Sequence, residues 1–217
     1  MQNKRLRNHI LCAIFTALIA IGAFIRVPVP VVPFTLSFLF TTLAGLLLGP
    51  RLGALSVAIY VVLGLMGVPV FVEGGGPGYI LKPSFGYLIG FALGAYVSGW
   101  FARKEVRPTF KTLFIGNFLN LMVVYGCGMV YVYFISSVYL GKPIGLWPLF
   151  LYCFLLAVPG DAVLCVLAAM LGTRLIPLIG INRKKREDMT EEERLAEDRG
   201  ALEDSGVVAC REGGPES

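Results

Sequence analysis

The charged residues of this chain are confined to short links between long apolar runs, and this spacing constrains its fold more than any other feature. Only 15% of its 217 residues are charged, whereas soluble domains carry about 25%. The first 180 residues contain three acidic residues, which are Glu73, Glu105 and Asp161. The sequence therefore predicts an integral membrane domain at 1–181, followed by a polar, disordered cytoplasmic tail at 182–217.

The apolar runs predict an all-α bundle of six transmembrane helices, since a helix needs about 20 apolar residues to cross a bilayer. The predicted spans are His9–Ile25, Phe34–Leu48, Leu52–Met66, Ser84–Phe101, Thr112–Val138 and Trp147–Ile176. Thirteen Lys and Arg residues lie in the links on one side of these spans, and three lie on the other. Because basic links face the cytoplasm, both termini are expected to be cytoplasmic.

The chain lacks the residue patterns of several functional classes. Its five cysteines include no CxxC pair and its one histidine is His9, so neither a metal site nor a disulfide framework is predicted. No GxxxxGKS/T phosphate loop occurs, so this chain is not expected to hydrolyse ATP. A membrane enzyme would need a base beyond Asp161, and the spans offer none. We therefore expect no cofactor, no catalytic residues and no nucleic-acid partner.

Asp161 is the one acidic residue inside a predicted span, and it follows Pro159 and Gly160. A charge at membrane depth costs at least about 2.5–3.5 kcal/mol, so it needs a partner or a function. Proline inside a helix removes a backbone hydrogen bond and clashes with the previous turn, here at Leu155. We expect a kinked helix that lines a cavity and presents Asp161 to a ligand. A structural acid that bonds to a neighbouring helix is the alternative.

Glycines mark a packing stripe and an unusual outward link. In the fourth span Gly86, Gly90 and Gly94 fall on one helical stripe, where small residues let helix backbones approach closely. The outward link, residues 69–83, combines a glycine run with charged, aromatic and apolar side chains. This composition suits a lid over a small, partly apolar ligand. An ordinary glycine-rich surface turn fits the link as well.

Five segments occur along the chain in the order typical of one family. They are Val31–Leu36, Ala44–Ala54, Tyr60 with Gly64–Phe71, Lys82–Phe91 and Pro159–Asp161. Through this ordered set, residues 8–180 resemble the BioY family, the biotin-binding S components of energy-coupling-factor (ECF) transporters. The resemblance implies an S-component-like bundle of six helices.

The resemblance also implies a multi-pass protein of the plasma (cell) membrane that captures biotin from outside. Its implied partners are a transmembrane coupling subunit and a pair of cytosolic ATPases. In the family an AxxxA motif in the first helix docks on the coupling subunit, and Ala13 and Ala17 match that motif. An S component for a different vitamin and an autonomous small-molecule carrier remain alternatives.

Biotin has a ureido ring with N–H donors, an apolar ring and a carboxylate tail. Asp161 can accept from a ureido N–H, and Tyr87 can supply a hydroxyl and an apolar face. The full set of candidate ligand residues is Asp161, Tyr87, Lys82, Ser84, Gly86, Tyr79, Asn117, Asn120, Phe34 and Phe71. The two asparagines share a helix face, so bonding between helices is an equal interpretation of that pair.

Two positions depart from the pattern that the family suggests. Leu164 stands where relatives commonly have lysine, and Ser37 stands where they often have glutamine. The missing lysine leaves Asp161 without a neighbouring cation. Lys82 is therefore expected to supply positive charge from the outward loop, where it would hold the carboxylate tail of the ligand.

Overall fold

The structure, a computed structural model, describes residues 2–27, 34–104, 108–138 and 158–179. Its α-helices in chain order are α1 (Gln2–Phe24), α2 (Ser37–Leu48), α3 (Pro50–Leu65), α4 (Phe85–Ala102), α5 (Phe110–Val138) and α6 (Val158–Ile179). The described part also contains an antiparallel pairing of Arg26–Val27 with Phe34–Thr35, and a 3-10 helix at Pro77–Leu81. The prediction of a helical bundle is confirmed.

Three of the described helices are long and apolar enough to cross a membrane. The apolar stretches in α1, α4 and α5 are Leu6–Phe24, Phe85–Ala102 and Phe110–Ser137. The helices α2 and α3 are apolar but shorter, as the short runs in the sequence predicted. These helices indicate a membrane protein, while the count of six spans and the orientation of the termini stay predictions.

The boundaries of α2 and α3 follow from local sequence. The helix α2 begins at Ser37 rather than at Phe34, because Phe34 and Thr35 pair with the strand before them. The helix α3 begins at Pro50, since the fixed φ of proline suits the first turn of a helix. The single residue between the two helices, Gly49, has a φ of +84°, a backbone conformation that favours glycine.

The sixth predicted span lies only partly within the described residues. Its described helix, α6, begins at Val158, and Trp147–Ala157 lie outside the described residues. Pro159 is the second described residue of α6. The kink expected here stays a prediction, because Leu155 also lies outside that part of the chain.

The glycine stripe of α4 packs directly against α5, which confirms its predicted role in packing. A Cβ added at Gly90 would lie 2.8 Å from the Cα of Val124, and one at Gly86 would collide with the side chain of Tyr131. Gly94 faces the side chain of Asn120 in the same way. The contact that the structure gives Gly86 is therefore with a helix, and its expected contact with a ligand stays a prediction.

Arg103, immediately after α4, ties this helix to the corner between α2 and α3. Its Nη2 atom donates to the carbonyl of Leu48 at 2.8 Å. The last carbonyls of a helix lack partners within the helix, so a cation placed there is stabilising. Arg51, in the first turn of α3, lies at the same corner. Two of the basic links that were predicted to be cytoplasmic thus meet at one end of the bundle.

The helix α1 packs against α2 and α3 with one face and leaves the other exposed. Thr16 Oγ1 donates to the carbonyl of Ser56 in α3 at 3.0 Å. Ser37 Oγ in α2 donates to a carbonyl of α1 at 3.0 Å. Ala13 and Ala17 lie on the exposed face. Bulk at these two positions would therefore not disturb the packing of α1 within the described bundle.

Replacing Gly90 with alanine tests the close approach of α4 and α5. We expect Gly90→Ala to lower the free energy of unfolding by about 1–3 kcal/mol, because the added methyl group overpacks the contact with Val124. Gly126→Ala is the matched control in α5, since a Cβ there meets nothing within 4 Å. Thermal unfolding in one detergent measures both variants. Equal melting temperatures for the two variants would contradict the packing account.

Candidate ligand-binding site

Asp161 is buried between α5 and α6, with 8% of its surface exposed. It lies in the first described turn of α6, and Tyr125 in α5 donates its hydroxyl proton to Asp161 Oδ2 at 2.6 Å. No Lys or Arg forms an ion pair with Asp161 among the described residues, where the one salt bridge lies in the outward loop. A neutral hydroxyl, rather than a cation, is the described partner of this buried acid.

Tyr87 packs on Tyr125, in space that a glycine leaves open. The rings of Tyr87 and Tyr125 meet edge to face, with centroids 5.8 Å apart and planes at 89°. A Cβ at Gly128 would lie 2.5 Å from the Tyr87 ring, so the absence of that atom makes room for the ring. Tyr125 thus contacts both Asp161 and Tyr87, two residues that the sequence suggested separately.

The sequence analysis missed Tyr125, although its position carried a signal. Asn117, Leu121 and Tyr125 are spaced four residues apart, so they lie on one face of α5. Asn117 had already marked that face as polar. Extending the face by two turns would have identified Tyr125 as a candidate partner for Asp161.

Leu164 lies one turn after Asp161 and contributes an apolar wall to the site. It is buried in one cluster with Phe38, Tyr87 and Tyr125. The departure from the family pattern at this position therefore places a packed hydrocarbon side chain next to the acid. The described surroundings of Asp161 combine one hydroxyl donor with aromatic and aliphatic surface.

Both asparagines of α5 bond to neighbouring helices. Asn117 Nδ2 donates to the carbonyl of Cys165 in α6 at 3.1 Å, and Asn120 Nδ2 donates to Thr42 Oγ1 in α2 at 2.8 Å. The prediction that these asparagines form hydrogen bonds between helices is therefore confirmed. Their Oδ1 atoms are buried and accept no hydrogen bond from any described residue. A contact of either asparagine with a ligand stays a prediction.

Phe71 and Tyr79 form a small core of the outward loop rather than part of the cluster around Asp161. Their ring centroids are 4.4 Å apart, and Phe71 also packs edge to face on Tyr60 of α3 at 5.4 Å. Ser84 Oγ donates to the hydroxyl oxygen of Tyr79 at 3.2 Å. Burial raises the pKa of Tyr79. Phe34 contributes backbone to the strand pair, and its side chain lies outside the described set.

Lys82 is paired with an acid of its own loop. Its Nζ atom lies 2.8 Å from Glu73 Oε2 and 5.0 Å from the centre of the Tyr79 ring. The expectation that Lys82 holds the carboxylate of a ligand stays a prediction. The loop already supplies a carboxylate to Lys82, because the turn at residues 71–74 brings Glu73 back toward it. A ligand carboxylate would have to compete with Glu73.

Two tyrosine hydroxyls fasten the outward loop to the helices below it. Tyr60 in α3 donates to the carbonyl of Val70 at 3.2 Å. Tyr131 in α5 donates to the carbonyl of Ile80. The loop therefore lies folded against α3, α4 and α5. Its predicted role as a lid that opens to admit a ligand stays a prediction.

Comparison with known proteins identifies the family. The family model described as the BioY family matches residues 1–180. The chain belongs to the BioY family. A "Probable biotin transporter BioY" from Lysinibacillus sphaericus is 40% identical over 175 residues, which cover 81% of this chain and 89% of that protein. The "Biotin transporter BioY" of Thermotoga maritima is 36% identical over 172 residues, which cover 78% of this chain and 96% of that protein.

A solved structure extends the similarity to the fold. It is described as the crystal structure of the S-component for biotin from an ECF-type ABC transporter, and it superimposes with a TM-score of 0.71 at 28% identity. The match covers 81% of this chain and 93% of that one. The BioY relatives are named as transporters rather than as enzymes. The resemblance drawn from the ordered sequence segments is confirmed.

The contact between Gly64 and Phe71 gives a test of how the loop is held. A Cβ at Gly64 would collide with the Phe71 ring, so we expect Gly64→Ala to loosen the loop locally. The measurement is the rate at which a glutamate-specific protease cleaves after Glu73, which should rise severalfold. Gly78→Ala is the control in the same loop, because a Cβ there meets nothing within 4 Å. An unchanged cleavage rate in Gly64→Ala would contradict the role of Phe71 as the anchor.

Proposed function

We propose that this BioY-family protein is the biotin-capturing S component of an ECF transporter in the cell membrane. The observation that carries the proposal is the buried Asp161 carboxylate, held through one oxygen by Tyr125, whose ring packs on Tyr87. It occurs in a chain whose fold matches 93% of a solved S-component for biotin. The relatives named as biotin transporters support the same ligand.

The chemistry of the site suits the head of biotin. A ureido ring offers N–H donors, and a buried carboxylate is a strong acceptor for them because charge-assisted hydrogen bonds exceed neutral ones in strength. The apolar sulfur-containing ring needs hydrocarbon contacts, which Leu164, Phe38 and the tyrosine rings provide in the same cluster. The absence of a described cation beside Asp161 disfavours a ligand whose head group is an anion.

Asp161→Asn keeps the shape of the side chain and removes its charge. We expect biotin affinity to fall by roughly tenfold or more, given about 1.5–3 kcal/mol for a hydrogen bond to a charged group. Titration calorimetry of the purified wild type and variant measures this change, and a panel of other vitamins serves as the specificity control. Wild-type biotin affinity in a folded Asp161→Asn protein would remove Asp161 from the site. Binding of another vitamin in place of biotin would favour the alternative S component.

Lys82 and Glu73 provide a test of carboxylate recognition. If Lys82 holds the tail of biotin, Glu73→Gln should strengthen biotin binding by removing the competing carboxylate, and Lys82→Ala should weaken it. Exposed ion pairs contribute about 0–1 kcal/mol, so both changes should stay below about fivefold. A biotin analogue with an amidated tail is the control ligand and should respond to neither variant. Equal changes in affinity for the two ligands would show that Lys82 does not bind the carboxylate.

We further propose that α1 docks on a transmembrane coupling subunit driven by two cytosolic ATPases. Ala13 and Ala17 are one turn apart on the exposed face of α1, where their small side chains allow a partner helix to approach closely. The buried face of the same helix is already occupied by α2 and α3. The small residues therefore lie on the side of α1 that an additional helix can reach.

Ala13→Trp and Ala17→Trp separate docking from ligand capture. We expect both variants to bind biotin as the wild type does when purified, because neither side chain packs inside the described bundle. Uptake in cells that supply the coupling subunit and ATPases should fall at least about tenfold, since a bulky side chain blocks close approach of helices. Val130→Trp is the control at an exposed position of α5. Wild-type uptake by both alanine variants would refute the docking role.

A further inference from the structure

We infer that Tyr125 is a positioning residue for ligand recognition: its hydroxyl holds Asp161 Oδ2 and thereby presents the other carboxylate oxygen to an N–H donor of the ligand. The inference rests on the proposed function and adds Tyr125 as the residue that fixes the orientation of the Asp161 carboxylate. Tyr125 acts through Asp161 and is not itself required to touch the ligand.

The hydrogen bond has the geometry needed to orient a carboxylate. At 2.6 Å it falls in the short range typical of a hydroxyl donating to a charged oxygen. The terminal torsion of an aspartate has a broad energy profile, so the carboxylate plane is poorly fixed by its own covalent structure. A strong donor on one oxygen removes that freedom. The second oxygen receives no hydrogen bond from the described residues.

Tyr125 is itself held firmly enough to serve as a reference point. Only 3% of its surface is exposed, and its ring packs edge to face on Tyr87. The Tyr87 ring in turn fills the space left by the missing Cβ of Gly128. The Tyr87 ring therefore packs between Gly128 and the Tyr125 ring, and the Tyr125 hydroxyl bonds to the Asp161 carboxylate. Because close-packed side chains sit in defined rotamers, this arrangement fixes the direction of the free oxygen of Asp161.

The arrangement has a consequence for the ligand. Because Oδ2 of Asp161 already accepts from Tyr125, we assign the N–H of the ligand to the other oxygen. A biotin head with two N–H groups would then bond to Asp161 through one of its nitrogens. The competing explanation is that the bond only links α5 to α6, as the bond between Asn117 and Cys165 does deeper in the bundle.

A double-mutant cycle separates positioning from simple linkage of the helices. Biotin affinity is measured by calorimetry for the wild type, Tyr125→Phe, Asp161→Ala and the double variant. We expect Tyr125→Phe to weaken binding by roughly five- to tenfold in the wild-type background and by less than about twofold when Asp161 is absent, since residues that act through each other are not additive. Tyr133→Phe is the matched control, because that tyrosine lies on the same helix and is 47% exposed.

The outcomes are distinct from those that test the proposed function. Wild-type protein that binds no biotin overturns the proposed function. Wild-type affinity in Tyr125→Phe, or an equal loss in both backgrounds, overturns the positioning role in a protein that still binds biotin. If Tyr125→Phe does not fold, the positioning role is tested on the unmutated protein with modified ligands. Biotin analogues methylated at one or the other ureido nitrogen should lose affinity unequally, by at least about tenfold for one of them, and equal losses would overturn the inference.

Discussion

The hydrogen bond between Tyr125 and Asp161 is the interaction on which the account of this molecule depends. A carboxylate within a membrane bundle carries a desolvation penalty of several kcal/mol. Among the described residues, the partner that offsets this penalty is a hydroxyl donor rather than a cation. The close contact of α4 with α5 brings Tyr87 onto Tyr125. Helix packing, the orientation of the acid and the recognition of an N–H donor are therefore linked in one place.

Much of the architecture could be predicted because it follows from short-range properties of the sequence. The apolar runs and their basic links predicted the helices, and the spacing of Gly86, Gly90 and Gly94 predicted the close contact of α4 with a neighbour. One displaced boundary, at the start of α2, arose because Phe34 and Thr35 pair with a strand. Such pairing depends on a partner segment, which periodicity alone does not reveal.

The site could be predicted only in part, because the choice of partner is a tertiary property. Asp161 and Tyr87 stood out from their positions, and the structure places them together around Tyr125, which the sequence analysis missed. Lys82 was expected to hold the carboxylate of a ligand, and the sequence did not indicate that a turn of the loop brings Glu73 to within 2.8 Å of it. Neither contact is visible in the spacing of residues, since both depend on how separate segments fold against one another.

The most direct test of the central claim is a crystal structure of this protein with biotin bound. We expect a ureido nitrogen within about 2.7–3.2 Å of the Asp161 carboxylate, with the hydroxyl of Tyr125 still bonded to the second oxygen. That geometry would show that a neutral donor aims the buried acid at the ligand. Biotin bound elsewhere, with Asp161 bonded only to Tyr125, would contradict the account and leave the pair as a structural link between α5 and α6.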